Sequence, residues 1–241
     1  MNGIMTRVVL SLGGSILFPT LEENRLAGYL PVLRRLAEKM QIYIVVGGGG
    51  EARRYIGVAR QAGVDEATCD EIGIRVTRLN AHLLVSALGD SAYPMVAESQ
   101  TEAMAAGETK GKIVVMGGIT PAQTTDAVAA VLAERVRADL LANITSIDGI
   151  YSADPKKDPK ATRFQTMTAD ELMKIVSGDS LCAGSNTVMD MVAVKVVQRS
   201  GIPMVVVDGR EPENLAAALL EGRLKGTVVT RDGKSPLPLQ C

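Results

Sequence analysis

The sequence has few cysteines, histidines and aromatic residues. Its three cysteines, Cys69, Cys182 and Cys241, are odd in number and lack the spacing of a metal site, so they fit a reducing compartment better than a disulfide framework. The one histidine, His82, is accompanied by no serine or cysteine nucleophile motif, which favours a solvated or interface role over catalysis. We therefore expect a cytoplasmic protein without a dedicated metal site.

An excess of one charge and long apolar runs are also lacking. Lysine and arginine number 26 against 27 aspartates and glutamates, a formal net charge of -1, which leaves no footprint for nucleic acid or an anionic membrane. No run approaches the roughly 20 apolar residues of a membrane span. The N-terminal run "RVVLSLGGSILF" is broken by glycines and followed by no small-residue cleavage site, so it predicts a strand and turn rather than a signal peptide. We expect small-molecule partners.

Two familiar phosphate-binding motifs are missing. The P-loop pattern GxxxxGK[ST] does not occur, and "GETKGK" has the wrong spacing. The dinucleotide fingerprint GxGxxG fails because Gly48-x-Gly50 is followed three residues later by Arg53. These absences disfavour a P-loop enzyme and a dehydrogenase.

The chain does contain short β-branched runs that alternate with segments of helical periodicity. This alternation predicts an α/β fold, a mostly parallel sheet covered by helices. No linker or repeat divides the chain, so we expect one domain over residues 1–233, with lobes of about 1–115 and 116–233, followed by a flexible tail at 234–241. The runs are "RVVLSL", "IYIVV", "YPMVA", "KIVVM", "LLANIT", "PMVVVD" and "TVVT".

Glycines directly follow three of these strands, in "VVLSLGGS", "IVVGGGG" and "VVMGG". In a parallel sheet the ligand crevice opens at the carboxyl ends of the strands. Glycine lets backbone N–H groups approach an anion there without an obstructing Cβ. Tight turns alone would explain one such feature, but three in the same topological position favour an anion site.

Arg53 and Arg54 fall in the predicted first turn of the helix after the second glycine turn, with Ala52, Tyr55, Ile56 and Ala59 as its apolar face. Positive charges at a helix N-terminus interact unfavourably with the helix dipole and destabilise the helix. A phosphate bound there would make the same arginines stabilising. The alternative is that both arginines extend into solvent.

A later helix, "DEIGIRVTRLNAHLLVSAL", is predicted to carry two neighbouring stripes. Its apolar face is Ile72, Val76, Leu79 and Leu83. The adjacent stripe is small and polar and could line a cleft, or could simply pack closely against a neighbour. Its members are Gly73, Thr77 and Asn80, with Asp70 at the helix start.

Two further segments carry candidate ligand contacts. Thr124, Thr125 and Asp126 stand at a helix N-terminus, where capping is the competing interpretation. In "ANITSIDGIYSADPKKDP", turn signals predict a loop that holds Tyr151 beside Asp154 and two lysines, either as a nucleoside contact or as ordinary turn packing.

Taken together, these segments resemble the amino acid kinase superfamily, and within it the uridylate (UMP) kinases of the archaeal type. The resemblance runs from "VVLSLGGS" to "GTVVT". It implies a three-layer αβα sandwich and transfer of the γ-phosphoryl group of ATP to UMP, with Mg²⁺ accompanying ATP. It also implies a homohexamer. Its most specific segments are "GGGGEARRYI", "CDEIGIRVTRLNAHLL", "VVMGGITPAQTTDAVAA", "ITSIDGIYSADPKKDP" and "RSGIPMVVVDGR".

The resemblance also implies roles for individual residues. The aspartate that organises the catalytic groups corresponds to Asp126. The transferring phosphates would meet Gly14, Ser15, Gly49 and Arg53, and the ATP nucleoside would meet Thr145, Tyr151 and Asp154. UMP would contact Gly48, Asp70 and the loop made of Ile119, Thr120, Pro121, Ala122, Gln123, Thr124 and Thr125.

One departure from the superfamily pattern matters for the chemistry. Most members have Lys-x-Gly-Gly in the first glycine turn, and here Ser11 stands in place of the lysine. We hypothesise that Arg53 takes the role of the missing cation, with Lys195 as a second candidate. Relatives that phosphorylate isopentenyl phosphate, carbamate or acyl acceptors remain alternatives, as does a non-catalytic relative that binds nucleotides or anions.

Overall fold

The computed structural model describes residues 5–109, 112–153, 155, 158–177 and 189–239. Within these ranges, seven strands form one sheet in the order β3-β2-β1-β4-β6-β7-β5. The strands are β1 (Arg7–Leu12), β2 (Gln41–Val46), β3 (Val114–Met116), β4 (Leu140–Thr145), β5 (Thr166–Thr168), β6 (Met204–Asp208) and β7 (Gly226–Thr230).

Helices connect the strands and cover the sheet. In the described residues they are α1 (Gly14–Leu17), α2 (Leu26–Ala37), α3 (Gly49–Gln61), α4 (Glu66–Leu88), α5 (Gln100–Gly107), α6 (Thr125–Val136), α7 (Ala169–Val176), α8 (Met191–Ser200) and α9 (Glu213–Glu221). Several begin where the sequence supplies a side-chain cap: Asp65 caps α4, Thr124 caps α6, and Asp190 caps α8.

Pairing in the sheet is parallel except between β6 and β7, which run antiparallel. The strands β1, β2, β3, β4 and β6 therefore end at one edge of the sheet. From β1 the chain moves outward through β2 to β3, and it then returns to place β4 on the other side of β1. The gap between β1 and β4 is thus the topological switch point, where ligands of open α/β sheets bind.

Each face of the sheet has its own hydrophobic core. Along β1, Val8, Leu10 and Leu12 belong to one core, which includes side chains of α2 and α9. Val9 belongs to the other core, with side chains of α6 and α8. Every residue of β2 is buried, as expected for a parallel strand covered on both sides. The predicted three-layer α/β sandwich is confirmed.

Two strand predictions differ from the structure. The run "YPMVA" forms only isolated bridges at its margins, including Ala97 with Met116, because Pro94 interrupts a regular ladder. The short strand β5 was not predicted, because a three-residue strand carries too little periodicity to be recognised.

The apolar face predicted for α4 is also wrong in part. Leu79 is 60% exposed and Leu83 is 40% exposed, whereas Thr77 and Asn80 are buried. Helix α4 packs closely against α3, β2 and β3. The small and polar stripe fits this close contact, so it faces inward and the leucines face outward. A packing contact therefore overrides the apolar periodicity.

The C-terminal segment is more ordered than its composition predicts. Leu237 and Leu239 pack against the core that contains α2 and α9, and the Leu239 N–H donates to the carbonyl of Leu219 at 3.1 Å. Residues 234–239 therefore contact the domain, which corrects the prediction of a flexible tail for that part. In the described ranges, no helix is both long enough and apolar enough to cross a membrane.

The close approach of two glycine turns generates a stability prediction. A Cβ on Gly14 would overlap the backbone nitrogen of Gly49 and lie 2.5 Å from the Gly47 carbonyl. We expect Gly14→Ala to lower the free energy of unfolding by about 1 to 3 kcal/mol, because backbone must shift to admit the methyl group. Urea denaturation measures this change.

A control for this prediction lies in α3. A Cβ on Gly57 meets no atom within 4 Å, so Gly57→Ala should raise stability by roughly 0.5 to 1 kcal/mol through helix propensity alone. A Gly14→Ala protein with the wild-type urea midpoint would contradict the proposed packing.

Candidate active site

The first two glycine turns meet backbone to backbone at the switch point. The Gly13 N–H donates to the Ile144 carbonyl at 3.1 Å, and the Gly47 N–H donates to the Leu12 carbonyl at 3.0 Å. Gly49 has φ of 68°, a conformation that glycine adopts without strain. The turn after β1 is therefore joined to its neighbours on both sides.

The small and polar stripe of α4 forms hydrogen bonds with the second and third glycine turns. Thr77 Oγ1 accepts a hydrogen bond from the Gly118 N–H at 2.7 Å and donates to the Ile74 carbonyl at 2.6 Å. Asn80 Nδ2 donates to the Gly47 carbonyl at 3.0 Å. The second and third glycine turns are thus fixed to one helix, and the contact of the first turn with the second brings all three turns to the same end of the sheet.

An open cleft of about 310 Å³ lies between these turns and the start of α6. It contains many of the predicted ligand residues and also Ile56 and Ile74, which the sequence analysis did not propose as ligand contacts. Its walls are Gly48, Gly49, Ala52, Arg53, Ile56, Asp70, Gly73, Ile74, Thr77, Gly118, Thr120, Gln123, Thr124 and Thr125. The predicted residues Gly14, Ser15, Ile119, Pro121 and Ala122 adjoin this region in sequence but do not line the cleft.

One carboxylate holds the loop over residues 119–125. Asp70 Oδ2 accepts a hydrogen bond from the Ala122 N–H at 2.8 Å. Ala122 has φ of 61°, in the left-handed region that disfavours a residue with a Cβ, at a cost of about 1 kcal/mol or more. The hydrogen bond from Ala122 to Asp70 therefore offsets part of the strain that places this loop beside the cleft.

The cations near the site are not equivalent. Arg53 lines the cleft, is exposed, and has no hydrogen bond or ion pair with any residue that the structure describes. Arg54 instead pairs with Glu51 at 3.1 Å. Because α3 begins at Gly49, both arginines lie beyond its first turn, one turn later than predicted. Lys195 and His82 are exposed and do not line the cleft.

Asp126 occupies the first turn of α6 beneath the glycine turns. Ser11 Oγ, buried at the end of β1, donates to Asp126 Oδ1 at 2.6 Å. Burial raises the pKa of the Asp126 carboxyl group, the hydrogen bond from Ser11 opposes this shift, and the nearby carboxylate of Asp190 adds to it. No cation among the described residues pairs with Asp126.

Asp190 is a site residue that the sequence analysis missed. Its Oδ2 accepts a hydrogen bond from Thr124 Oγ1 at 2.8 Å, and its Oδ1 accepts from the Val192 N–H at 2.6 Å. Thr124 also caps α6 by accepting from the Ala127 N–H at 3.2 Å. Thr124 therefore caps α6 and also links the start of α6 to the start of α8 through its hydrogen bond to Asp190. The sequence signal was an aspartate directly before the apolar run "MVAVKVV", which is typical of a helix N-cap.

The predicted nucleoside loop lies beyond the end of β4. Tyr151 donates to Asp148 Oδ1 at 2.8 Å, and Arg163 donates to Asp148 Oδ2 at 2.9 Å. The hydrogen bond to Asp148 raises the pKa of Tyr151. Neither Tyr151 nor Thr145 lines the cleft, so the structure separates them from the UMP candidates. Asp154 and the two lysines of this loop, Lys156 and Lys157, fall outside the described residues.

Comparison with known proteins adds independent evidence. Two curated relatives are each 60% identical to this chain. The "Uridylate kinase" of Methanoculleus marisnigri covers 97% of this chain and 100% of its own length. The "Uridylate kinase" of Methanospirillum hungatei JF-1 covers 98% and 100%.

A solved structure and a family model agree with these relatives. The crystal structure of uridylate kinase from Archaeoglobus fulgidus superposes with a TM-score of 0.83 at 43% identity, covering 92% of this chain and 99% of that one. The model of the amino acid kinase family matches residues 6–208. The chain belongs to the amino acid kinase family.

Proposed function

We propose that this protein is a UMP kinase that transfers the γ-phosphoryl group of ATP to UMP, giving UDP and ADP for pyrimidine nucleotide synthesis in the cytoplasm. The observation that carries the proposal is the cleft, which is lined by glycine turns, by Asp70 and by Arg53, an arginine free of partners among the described residues. The identity to uridylate kinases over nearly the full chain supports the same activity.

The cleft suits a nucleoside monophosphate. Its volume of about 310 Å³ is at the lower end of the range for small-molecule pockets. We infer that the UMP phosphate lies near Arg53, Gly48 and Gly49, and that the base lies toward Asp70 and the loop 119–125. Thr120, Gln123 and Thr124 offer the polar groups that a pyrimidine edge requires.

The donor nucleotide is assigned to the other side of the switch point. We infer that ATP lies over the carboxyl ends of β4 and β6, with its nucleoside near Thr145 and Tyr151. Tyr151 and Arg163 both donate hydrogen bonds to Asp148, which positions the Tyr151 ring. The donor nucleotide would thus lie in the expected ATP lobe of about residues 116–233, and the UMP site would combine the acceptor lobe of about 1–115 with the loop 119–125.

The residues of the site account for the chemistry without a general base. The phosphate of UMP is already an anionic nucleophile, so catalysis depends on positioning and on neutralising charge. Backbone N–H groups of Gly14, Ser15 and Gly49 are available at the turns, and Arg53 supplies a mobile positive charge. Asp126, fixed by Ser11, orients the groups around the transferring phosphoryl.

The donor set also fits Mg²⁺ that arrives with ATP. Within the described ranges no cluster of three or more His, Cys, Asp or Glu residues forms a metal cage. Mg²⁺ in kinases is usually held by one or two carboxylates together with substrate phosphates. Asp126 and Asp190 are two neighbouring carboxylates without a cationic partner in the described part of the chain, and bound Mg²⁺ would neutralise phosphate charge beside them.

The first functional prediction is that the protein turns over UMP. With ATP and Mg²⁺, we expect release of ADP at roughly 1 to 100 s⁻¹. A coupled ADP-release assay should compare UMP with CMP, dUMP, AMP, isopentenyl phosphate and acetylglutamate. Turnover only with isopentenyl phosphate or an acyl acceptor would reassign the substrate, and ATP binding without turnover would indicate a non-catalytic relative.

The second prediction concerns Arg53. Arg53→Ala should lower kcat/KM for UMP about 100-fold, because it removes a charge-assisted donor to phosphate. Steady-state kinetics with varied UMP measures the change. Arg54→Ala is the matched control: it removes the neighbouring arginine, which pairs with Glu51 instead, and should stay within about 2-fold of wild type. A loss of activity in Lys195→Ala with little change in Arg53→Ala would reverse the assignment.

Assembly is a further part of the proposal. Two neighbouring helices expose apolar side chains, with Tyr55 at 61% and Val58 at 67% on α3, and Leu79 at 60% and Leu83 at 40% on α4. Exposed apolar groups on packed helices are typical of a surface that another protein covers. We propose that this surface contacts other copies of the chain and contributes to a homohexamer.

The third prediction tests this surface. Leu79→Glu should reduce the mass measured by light scattering to a smaller assembly than wild type, because an apolar contact would then have to bury a carboxylate. Leu21→Glu is the control, since Leu21 is 53% exposed and belongs to neither helix. An unchanged mass for Leu79→Glu would exclude this surface from the assembly.

A further inference from the structure

Asn143 is a buried amide with an unmade hydrogen bond. It lies on β4 and is 3% exposed, yet its Nδ2 has no acceptor. Within the described ranges, the other buried side-chain polar atoms without a partner are Gln100 Oε1 and Thr230 Oγ1. An unpaired buried polar group destabilises the folded state, so its presence calls for a physical explanation.

The position of Asn143 in the sheet suggests that explanation. Asn143 is the register partner of Ser11 across the β1–β4 pair, so the two side chains lie on the same face about 4.8 Å apart along the sheet. That pair is the switch point, and both residues are close to the carboxyl ends of their strands. Asn143 therefore lies at the base of the site where the glycine turns meet.

The groups around Asn143 lack a free donor. Ser11 Oγ gives its hydrogen to Asp126 at 2.6 Å and cannot donate a second one. Asp126 and Asp190 accept hydrogen bonds from Ser11 and Thr124, and no described cation pairs with either. The amide of Asn143 is a described side-chain donor without an acceptor at this point, and a phosphate oxygen is an acceptor that glycine turns of this kind admit.

We propose that Asn143 is a catalytic residue, whose amide donates a hydrogen bond to an oxygen of the transferring phosphoryl group. In the structure Nδ2 is buried, so a rotation of the side chain toward the turns is part of the proposal. This inference rests on the proposed UMP kinase activity, and it assigns a neutral donor where the Lys-x-Gly-Gly pattern would have a cation. Ser11 then fixes Asp126, and Asn143 meets the phosphoryl group.

The fourth prediction uses two variants. Asn143→Leu keeps the approximate volume but removes the donor, and we expect kcat to fall about 100-fold with KM for UMP and ATP within about 3-fold, as for loss of a donor that acts mainly in the transition state. Asn143→Asp keeps the shape and puts a carboxylate beside the phosphates, so kcat should fall at least as far. Steady-state kinetics and thermal unfolding are measured on both.

The unfolding measurement separates a catalytic role from a structural one. Replacing an unpaired buried amide by an apolar group should leave the unfolding temperature of Asn143→Leu unchanged or higher. Thr230→Val is the matched control. It removes another unpaired buried group, at the end of β7, which runs antiparallel to β6 and so ends at the opposite edge of the sheet. Its kcat should stay within about 2-fold of wild type.

Each outcome decides the inference. If both Asn143 variants keep kcat within about 3-fold of wild type, Asn143 has no part in transfer. If Asn143→Leu is too unstable to assay, Asn143→Asp alone decides, and wild-type kcat in that variant would overturn the proposal. If wild type itself shows no turnover with any acceptor, the proposed function fails and this inference fails with it.

Discussion

The site depends on two backbone turns that touch without side chains between them. Gly14 and Gly47–Gly49 approach so closely that a single Cβ on Gly14 would overlap backbone atoms. This contact brings the ends of β1 and β2 together and leaves their N–H groups near one point. Dispersion and hydrogen bonding at this contact are available only because glycine fills both positions. The cleft, the stripe on α4 and the start of α6 are all arranged around it.

Below these turns, a second set of polar contacts joins β1 to α6 and the start of α6 to the start of α8. Ser11 at the end of β1 donates to Asp126 on α6, and Thr124 at the cap of α6 donates to Asp190 at the cap of α8. Each carboxylate is satisfied by neutral donors rather than by a fixed cation. Two carboxyl groups without a described cationic partner leave a place for the counterion that the proposed substrate, ATP with Mg²⁺, would bring.

Much of this architecture was predictable from the sequence, and the exceptions have physical causes. The strands β1 and β4 follow from apolar runs, and the convergence of glycine turns follows from where those runs end. The exposed Leu79 and buried Asn80 were not predictable, because which stripe of α4 faces inward depends on its contact with α3 and the glycine turns. Asn143 was hidden for a different reason. A polar residue inside "LLANIT" reveals nothing until the register with Ser11 is known.

The exposure of Arg53 sets how the site responds to its surroundings. A guanidinium on the surface acts through a field that dissolved ions weaken within about 8 Å at physiological ionic strength. The glycine N–H groups carry no net charge, so dissolved ions weaken their short-range hydrogen bonds to an anion much less. Rising salt should therefore slow the capture of an anion while leaving the geometry of the captured anion unchanged. The rate at which an anion is captured thus depends on Arg53 and on salt. The orientation of the bound anion depends on the glycine N–H groups and is much less sensitive to salt.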